Sequence, residues 1–209
     1  MWRDREKTNE KPPYDDLIVE RTREYVIALF TRRNCTDLIY HNLAHTKSVV
    51  DHAIEIAAQY PVTEQELYYL TIAAWFHDTG HLFGELKNHE EAGVHLMGAL
   101  MQTFEIPENI IGIIADCILS TKMPTHPQSL IEKIICDADT YHLGTPEFRE
   151  TNEKVWKEFE IRFSNPIEHP VEKAIWFLTS HKYYTDYCRD LLNPGKEENI
   201  GYLKKQLNK

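Results

Sequence analysis

The sequence predicts an all-α fold, a single compact unit of about eight helices. Apolar residues recur at intervals of three and four along most of the chain, the spacing that gives a helix one buried face. The clearest apolar face follows Pro107 and consists of Ile110, Ile111, Ile114, Cys117 and Ile118. Neither a strand-like alternation of apolar and polar residues nor an internal repeat is visible. We therefore expect the 209 residues to form one helical domain with a short lead-in.

The first two helices are predicted from charge and periodicity. Residues 1–13 are charged and end in two prolines, so we expect a flexible lead-in before a helical domain over residues 14–209. Acidic residues stabilise the first turn of a helix, which places the first helix between Asp15-Asp16 and about Asn34. A second helix is predicted over residues 43–59, where an apolar stripe recurs with helical spacing.

The third helix leads into the motif around which the chain is organised. It begins at Thr63-Glu64-Gln65-Glu66, which has the form of a capping box. Its apolar end, residues 72–76, is followed directly by His77-Asp78-Thr79-Gly80-His81. Imidazole and carboxylate groups at the end of a buried helix are costly to desolvate unless they are paired or bind a cation. The alternative is that His77 and His81 only cap and polarise the helix end.

The second half of the chain continues the helical pattern. Helices are predicted over residues 89–104, 107–121 and 130–141, with a proline-containing loop at 122–129. Residues 146–209 are expected to form a C-terminal helical extension. Its helices are predicted to be interrupted at Asn165-Pro166, Pro170 and Asn193-Pro194-Gly195.

Composition limits the compartment and the partners. A formal net charge of −10 argues against a protein that coats nucleic acid, because neutralising phosphates requires clustered lysine and arginine. The four cysteines form no Cys-x-x-Cys pair, so we expect a reducing compartment. No signal region or bilayer-spanning stretch is visible, and we interpret the chain as a soluble cytoplasmic protein without membrane partners. The sequence leaves open whether it forms a homo-oligomer.

Four potential metal ligands occur on three different predicted helices, in the order His45, His77-Asp78 and Asp139. This ordered set resembles the HD superfamily of metal-dependent phosphohydrolases, whose signature is a histidine, a His-Asp doublet and a later aspartate. The resemblance spans residues 40–145 and implies that the four side chains bind one divalent cation. Helical spacing does not choose between Asp137 and Asp139, whereas the resemblance favours Asp139.

A second resemblance concerns possible acid catalysis. The stretch Tyr40-His41-Asn42-Leu43-Ala44-His45 is similar to the Tyr-His-Asn-x-x-His stretch of cyclic-nucleotide phosphodiesterases, a branch of the same superfamily. It implies that His41 is the general acid, a role that suits an imidazole titrating near neutrality. The alternative for His41 is an exposed residue beside a helix cap. His81 resembles the histidine after the doublet and is expected to orient a ligand or water, while Asp78 is the ligand best placed to bridge to a second cation.

The sequence departs from the pattern of binuclear family members, which carry two further histidines. His89 fits the first of these, but no histidine stands near Ser120-Thr121-Lys122, where the second would fall. His126 could replace it only if its proline-flanked loop folds inward. We therefore expect one tight divalent metal, with a weak or absent second site at His89 and His126. Mixed histidine and aspartate ligands accept manganese, magnesium, iron or zinc, so the metal itself is left open.

The leading hypothesis is metal-dependent hydrolysis of a phosphate ester by a metal-activated water, with a nucleotide or another small phosphorylated metabolite as substrate. Lys122, Arg189 and Lys196 are candidate contacts to the substrate phosphate, although each is also explained by packing or solvation. Two alternatives keep the same site. One is a di-iron oxygenase of the HD type, which needs a complete set of six ligands, so the threonine at position 121 in place of a histidine argues against it. The other is a non-catalytic module that binds a nucleotide or metal. The sequence does not distinguish a phosphomonoesterase from a phosphodiesterase.

Overall fold

The computed structural model describes residues 16–33, 35–84 and 87–207, and within them the chain forms nine α-helices and no strand. The helices are α1 (Asp16–Arg33), α2 (Leu43–Ala57), α3 (Glu64–Phe76), α4 (His89–Thr103), α5 (Glu108–Ser120), α6 (Leu130–Asp139), α7 (Phe148–Phe163), α8 (Pro170–Ser180) and α9 (Asp186–Leu207). Short 3₁₀ helices at Thr79–Phe83 and Tyr141–Gly144 follow α3 and α6. The all-α prediction is confirmed. The predicted lead-in, residues 1–13, lies outside the described residues.

Local capping signals set the start of several helices. The Asn42 side chain accepts hydrogen bonds from the backbone amides of Ala44 and His45 and thereby begins α2. The capping box predicted at Thr63 and Glu66 is present at the start of α3. These caps satisfy amides that lack a partner inside the helix, so they fix where the two helices begin.

The core is organised around α3. Residues 68–76 of this helix are all buried, and α2, α5 and α6 pack around it. The same core includes Tyr183, Cys188 and Leu192 from the C-terminal part of the chain. The C-terminal helices therefore share a hydrophobic core with the segment that carries the histidine and aspartate motifs. Among the described residues, every helix is too short or too polar to span a bilayer.

One predicted helix break is wrong. Helix α9 continues through Asn193-Pro194-Gly195, although a proline inside a helix costs about 3 kcal/mol relative to alanine. The reason is a close tertiary contact beside the proline. A Cβ atom built on Gly195 would lie 2.0 Å from the carbonyl oxygen of Gly144, and one built on Gly144 would lie 2.4 Å from that of Leu192. The two glycines let α9 pack directly on the 3₁₀ helix that follows α6.

Candidate metal centre and adjoining cavity

Three helices bring the predicted ligands together. His45 lies in the first turn of α2, His77 is the C-cap of α3 with Asp78 next to it, and Asp139 is the last residue of α6. His77 and Asp78 are buried, since α3 ends in the middle of the core. The side chains therefore meet because two buried helices end where a third begins.

The donor atoms of this cluster lie at distances that suit a metal ion. His45 Nε2 is 3.1 Å from Asp139 Oδ1 and 3.3 Å from Asp78 Oδ2. His77 Nε2 is 3.2 Å from Asp78 Oδ2, 3.5 Å from His45 Nε2 and 3.6 Å from Asp139 Oδ1. Ligands bonded at about 2.1 Å to one ion lie roughly 3 Å from each other. The spacing thus resembles a coordination shell more closely than a set of optimal hydrogen bonds.

The hydrogen bonds around the cluster also favour a cation. His77 Nδ1 lies 2.8 Å from the carbonyl oxygen of Ala74, which can only accept, so the ring proton stands on Nδ1. The lone pair of His77 Nε2 then faces the cluster, as in a histidine ligand oriented by its outer hydrogen bond. Asp78 Oδ2 is buried without a hydrogen-bond partner. Two imidazole nitrogens and two carboxylate oxygens therefore fit a divalent cation.

The charges of the four groups depend on one another. Burial opposes the charged form of His77, but the Asp78 and Asp139 carboxylates raise its pKa well above the ordinary value. In the opposite direction, His77 and His45 hold the pKa of Asp78 well below its usual range despite burial. The pKa of Asp139 is lowered by the same two histidines, again against burial. The two ionised carboxylates thus pair with a protonated His77, and a cation that binds in the cluster would displace the proton from Nε2 and expose its lone pair.

Asp137, which helical spacing left as an alternative ligand, is occupied elsewhere. Its carboxylate accepts hydrogen bonds from the amides of Tyr184 and Thr185, each at 2.8 Å, and from the Thr185 hydroxyl at 2.6 Å. These contacts hold the segment that leads into α9. Of the two aspartates, Asp139 is the one that lies in the cluster.

His41 lies beside the cluster and is held by a carboxylate that the sequence analysis did not identify. Nδ1 of His41 donates to Glu158 Oε1 at 2.6 Å, and the amides of Tyr40 and His41 donate to Oε2 of the same side chain. Burial disfavours the charged form of Glu158, but the hydrogen bonds from His41 and the two amides lower its pKa to about 2. An ionised Glu158 therefore holds the His41 ring in a fixed orientation.

His81 has a partner on the same helix as Glu158. A guanidinium nitrogen of Arg162 lies 2.9 Å from His81 Nδ1, and because guanidinium only donates, His81 Nδ1 accepts. Burial lowers the pKa of His81 to about 2, so the neutral ring carries its proton on Nε2, which is 3.9 Å from Asp78 Oδ1. A protonated nitrogen has no lone pair for a metal. The contact with Arg162 therefore favours a hydrogen-bonding role for His81 over a ligand role.

The residues considered for a second metal are only partly brought together. His89 Nε2 lies 3.7 Å from Asp78 Oδ1, and its ring stacks on His81 with centroids 3.8 Å apart. Thr121 stands in place of a further histidine, and its buried hydroxyl donates to the carbonyl of Ile118. His126 is exposed in its loop and is not among the residues that line the cavity next to the site. The loop therefore does not fold inward, as it would have to for His126 to bind a second metal.

A cavity of about 690 Å³ opens from His41, Asp78 and His81 toward α7 and α8. Lys122 lines it and forms an ion pair with Glu91. Arg189 and Lys196, the other candidate phosphate contacts, are not among its lining residues. Arg189 donates to the carbonyl of Tyr184, and Lys196 donates to the carbonyl of His181, so both hold the segment before α9. A second cavity of about 560 Å³ borders Asp139 but neither His41 nor Asp78.

Glu158 and Arg162 illustrate what sequence reasoning missed. They lie four residues apart on α7, 3.4 Å from each other, and both are almost completely buried. Glutamate and arginine at this spacing usually form an exposed ion pair on a helix surface. The single available signal is that Phe159 and Phe163 stand among charged residues in this helix. That signal suggests an apolar face but does not identify a contact with His41.

Comparison with known proteins supports the same fold. Residues 42–144 match the family model described as the HD domain. A predicted HD superfamily hydrolase from an uncultured Thermotogales bacterium is similar in structure, with 21% identity, a TM-score of 0.56 and coverage of 94% of this chain and 92% of that chain. The Lin1889 protein from Listeria innocua has 17% identity and a TM-score of 0.61, over 92% of this chain and 97% of that chain. Among curated proteins, none matches this chain.

Proposed function

We propose that this chain, whose residues 42–144 match the HD-domain family model, is a metal-dependent phosphohydrolase that cleaves a phosphate ester of a nucleotide or another small metabolite. The observation that carries the proposal is the position of His41. A ring nitrogen of His41 lies within 4.8 Å of a carboxylate oxygen of Asp78 and of a ring nitrogen of His81, at the edge of the His and Asp cluster. His41 Nδ1 donates a hydrogen bond to Glu158. A polarised imidazole beside a cation site is suited to proton donation during ester cleavage.

His45, His77, Asp78 and Asp139 are the residues that would hold the divalent cation. When bound, such an ion makes a water molecule more acidic and offsets the charge that develops on the phosphoryl oxygens. The larger cavity is the proposed substrate site, because it borders Asp78 and His41 together, whereas the smaller one borders neither.

In this proposal His41 is the general acid. Its Nδ1–H donates to ionised Glu158, which leaves Nε2 to carry the proton that passes to the leaving oxygen. Glu158 keeps the ring oriented before and after the transfer. His81 presents its Nε2–H beside Asp78 and is proposed to position the carboxylate or the attacking water by hydrogen bonding.

Among the proposed phosphate contacts we retain Lys122, because it lines the cavity. Arg189 and Lys196 are left out of the proposal, since their charged groups hold backbone carbonyls near α9. The di-iron alternative is not favoured by the geometry. Thr121 offers a hydroxyl that already donates to a carbonyl, and His81 accepts a hydrogen bond from Arg162 at one of its ring nitrogens.

The test is phosphate or alcohol release from a panel of mono- and diesters. Metal-stripped protein would be resupplied with manganese, magnesium, zinc or iron. We expect His41→Gln to retain its metal and to lower kcat about 100-fold or more, because the general acid is lost. We expect Asp139→Asn to lose both metal and activity. The exposed His95 on α4 provides a matched control, and His95→Gln should match the wild type.

Stoichiometric metal binding without cleavage of any ester would contradict the proposal. Oxygen consumption by protein loaded with two irons would instead support the oxygenase alternative. Because metal content and turnover are measured on the same samples, a loss of activity through loss of the metal is distinguished from a loss of acid catalysis.

A further inference from the structure

We propose that the substrate is a phosphate ester of an apolar, preferably aromatic, alcohol, whose leaving group binds between α7 and α8. This inference rests on the proposed function and specifies its substrate class. The larger cavity has two chemically different ends. One end consists of His41, Asp78 and His81, and the other is bordered mainly by aromatic and aliphatic side chains of α7, α8 and the segment before α7.

The far end is suited to a flat apolar group. Its lining includes Phe148, Trp156, Phe177 and Leu143, while Phe159, whose ring centroid is 6.3 Å from that of His41, connects it to the polar end. Trp156, Phe159 and Phe177 are only half-buried, so their rings still have faces available to a ligand. Protein interiors are normally packed without voids of this size, and ligand sites are typically apolar cavities of about 300–1,000 Å³ with a few polar groups at one end. A cavity that continues from a candidate catalytic centre fits this description.

Polar partners are scarce at the apolar end. The Asn152 side-chain oxygen accepts from Trp156 Nε1 at 3.0 Å, so the Asn152 side-chain nitrogen is the donor that this pair still offers to a ligand. The hydroxyl of Thr140 donates to the carbonyl of Cys136 and lies 3.0 Å from His181 Nε2. A ribose or a nucleobase buried here would leave most of its hydroxyls and ring nitrogens without partners, which is costly. A hydrocarbon or aryl group would not carry this cost.

The charges that line the cavity are mixed, with Asp78, Glu90 and Asp139 beside Lys87, Lys122 and Lys173. Lys122, one of the lining cations, is paired with Glu91, and Glu90 adds a further carboxyl group to the lining. Lys173 is exposed on α8 and Lys87 precedes α4. The phosphate is therefore expected at the metal centre, with a single phosphoryl group. At the opposite side Trp176 lines the cavity with 71% of its surface exposed, which leaves an apolar side chain in reach of a long leaving group.

The test compares esters whose leaving groups are all primary alcohols but differ in polarity: naphthylethyl phosphate, ethyl phosphate and adenosine monophosphate. With manganese-loaded protein, we expect kcat/KM for naphthylethyl phosphate to exceed that of the other two about tenfold or more, because the ring is transferred from water to an apolar cavity. Trp156→Ala and Phe177→Ala should each reduce this preference about fivefold or more. Ile161→Ala is a matched control, since Ile161 is 42% exposed on α7 outside the cavity and should leave the preference unchanged.

Binding is measured separately by calorimetry with naphthylethylphosphonate, whose carbon–phosphorus bond is not hydrolysed. Binding that Phe177→Ala weakens, without turnover of any ester, would support the ligand class and overturn the proposed hydrolysis. Equal or faster cleavage of ethyl phosphate or adenosine monophosphate would overturn the ligand class and leave the hydrolase intact. Absence of both binding and turnover would overturn both. If a variant does not fold, the inference is still tested by the wild-type protein, through its preference for naphthylethyl phosphate over the two other esters.

Discussion

Two aspartates on α6 show how one residue position decides a role. Asp137 and Asp139 are two residues apart, and because each residue turns a helix by about 100°, their side chains point in nearly opposite directions. Asp139 faces His45 and His77, whereas Asp137 faces the segment before α9. The periodicity of α6 could not distinguish them, since both lie equally far from the apolar stripe. Only the packing of α9 on one side and of α2 on the other separates their roles.

This difference predicts different effects on metal binding for two similar substitutions. Asp139→Asn should abolish stoichiometric metal binding and also lower the stability of the metal-free protein, because its carboxylate pairs with His45 and His77. Asp137→Asn should retain the metal but lower the free energy of unfolding by about 1–3 kcal/mol, because an amide cannot accept all the hydrogen bonds from Tyr184 and Thr185. Metal analysis and urea unfolding check the two variants together. Loss of metal from Asp137→Asn with wild-type stability would contradict the assignment.

Glu158 predicts a specific pH dependence of stability. Folding lowers its pKa from 4.5 to about 2, so its ionised form stabilises the native state above about pH 4.5. That contribution is lost as the pH falls from 4.5 toward 2. Between pH 5 and pH 3, the stability difference between the wild type and Glu158→Gln should therefore narrow by about 2 kcal/mol.

Urea unfolding at the two pH values measures this change. Glu153→Gln, which replaces an exposed carboxylate on the same helix, is the matched control and should show no comparable narrowing. A stability difference between the wild type and Glu158→Gln that is the same at pH 5 and pH 3 would mean that Glu158 is not held ionised by His41 and the two amides.

At the scale of whole elements, the sequence predicted best where the signal is local. The predicted helix starts at Leu43 and at the Thr63 capping box depend on neighbours within a few positions, and both agree with the structure. The interruption predicted at Pro170 also agrees, since α8 begins there. The break predicted at Asn193-Pro194-Gly195 failed because the deciding contact, between Gly195 and Gly144, joins residues about 50 positions apart. Glu158 was missed for the same reason, since its partner is 117 positions away.

The contact between α9 and the 3₁₀ helix after α6 predicts a difference between two glycines of α9. Gly195→Ala should lower the free energy of unfolding by about 1–3 kcal/mol, because the added methyl group would overlap the Gly144 carbonyl. Gly201→Ala should raise it by about 0.5–1 kcal/mol, since nothing lies near that position and alanine favours the helix. Thermal and urea unfolding of both variants check this. A stabilising Gly195→Ala would show that the two backbones can separate without cost.

At the scale of the whole molecule, the candidate site depends on more of the chain than the matched HD segment. Residues 42–144 include the four proposed ligands, but Glu158 and Arg162 lie beyond this range and contact His41 and His81. The core likewise includes side chains from α9. The motifs therefore predicted which histidine and aspartate side chains form the cluster, while the contacts from α7 required the folded chain.

This arrangement predicts that metal binding stabilises the whole fold. The cluster joins the ends of α3 and α6 to the start of α2, and two buried carboxylates meet there. A cation that binds only the native state raises the free energy of unfolding by about 2.7 kcal/mol at a concentration 100 times its dissociation constant. Chelation should reverse the increase, as measured by urea unfolding of the same sample. Addition of metal should not raise the free energy of unfolding of Asp139→Asn. It should raise that of Asp137→Asn by the full amount, starting from a lower value. Equal stability with and without bound metal would place the ion outside this cluster, because an ion held between three helices must be released when they separate.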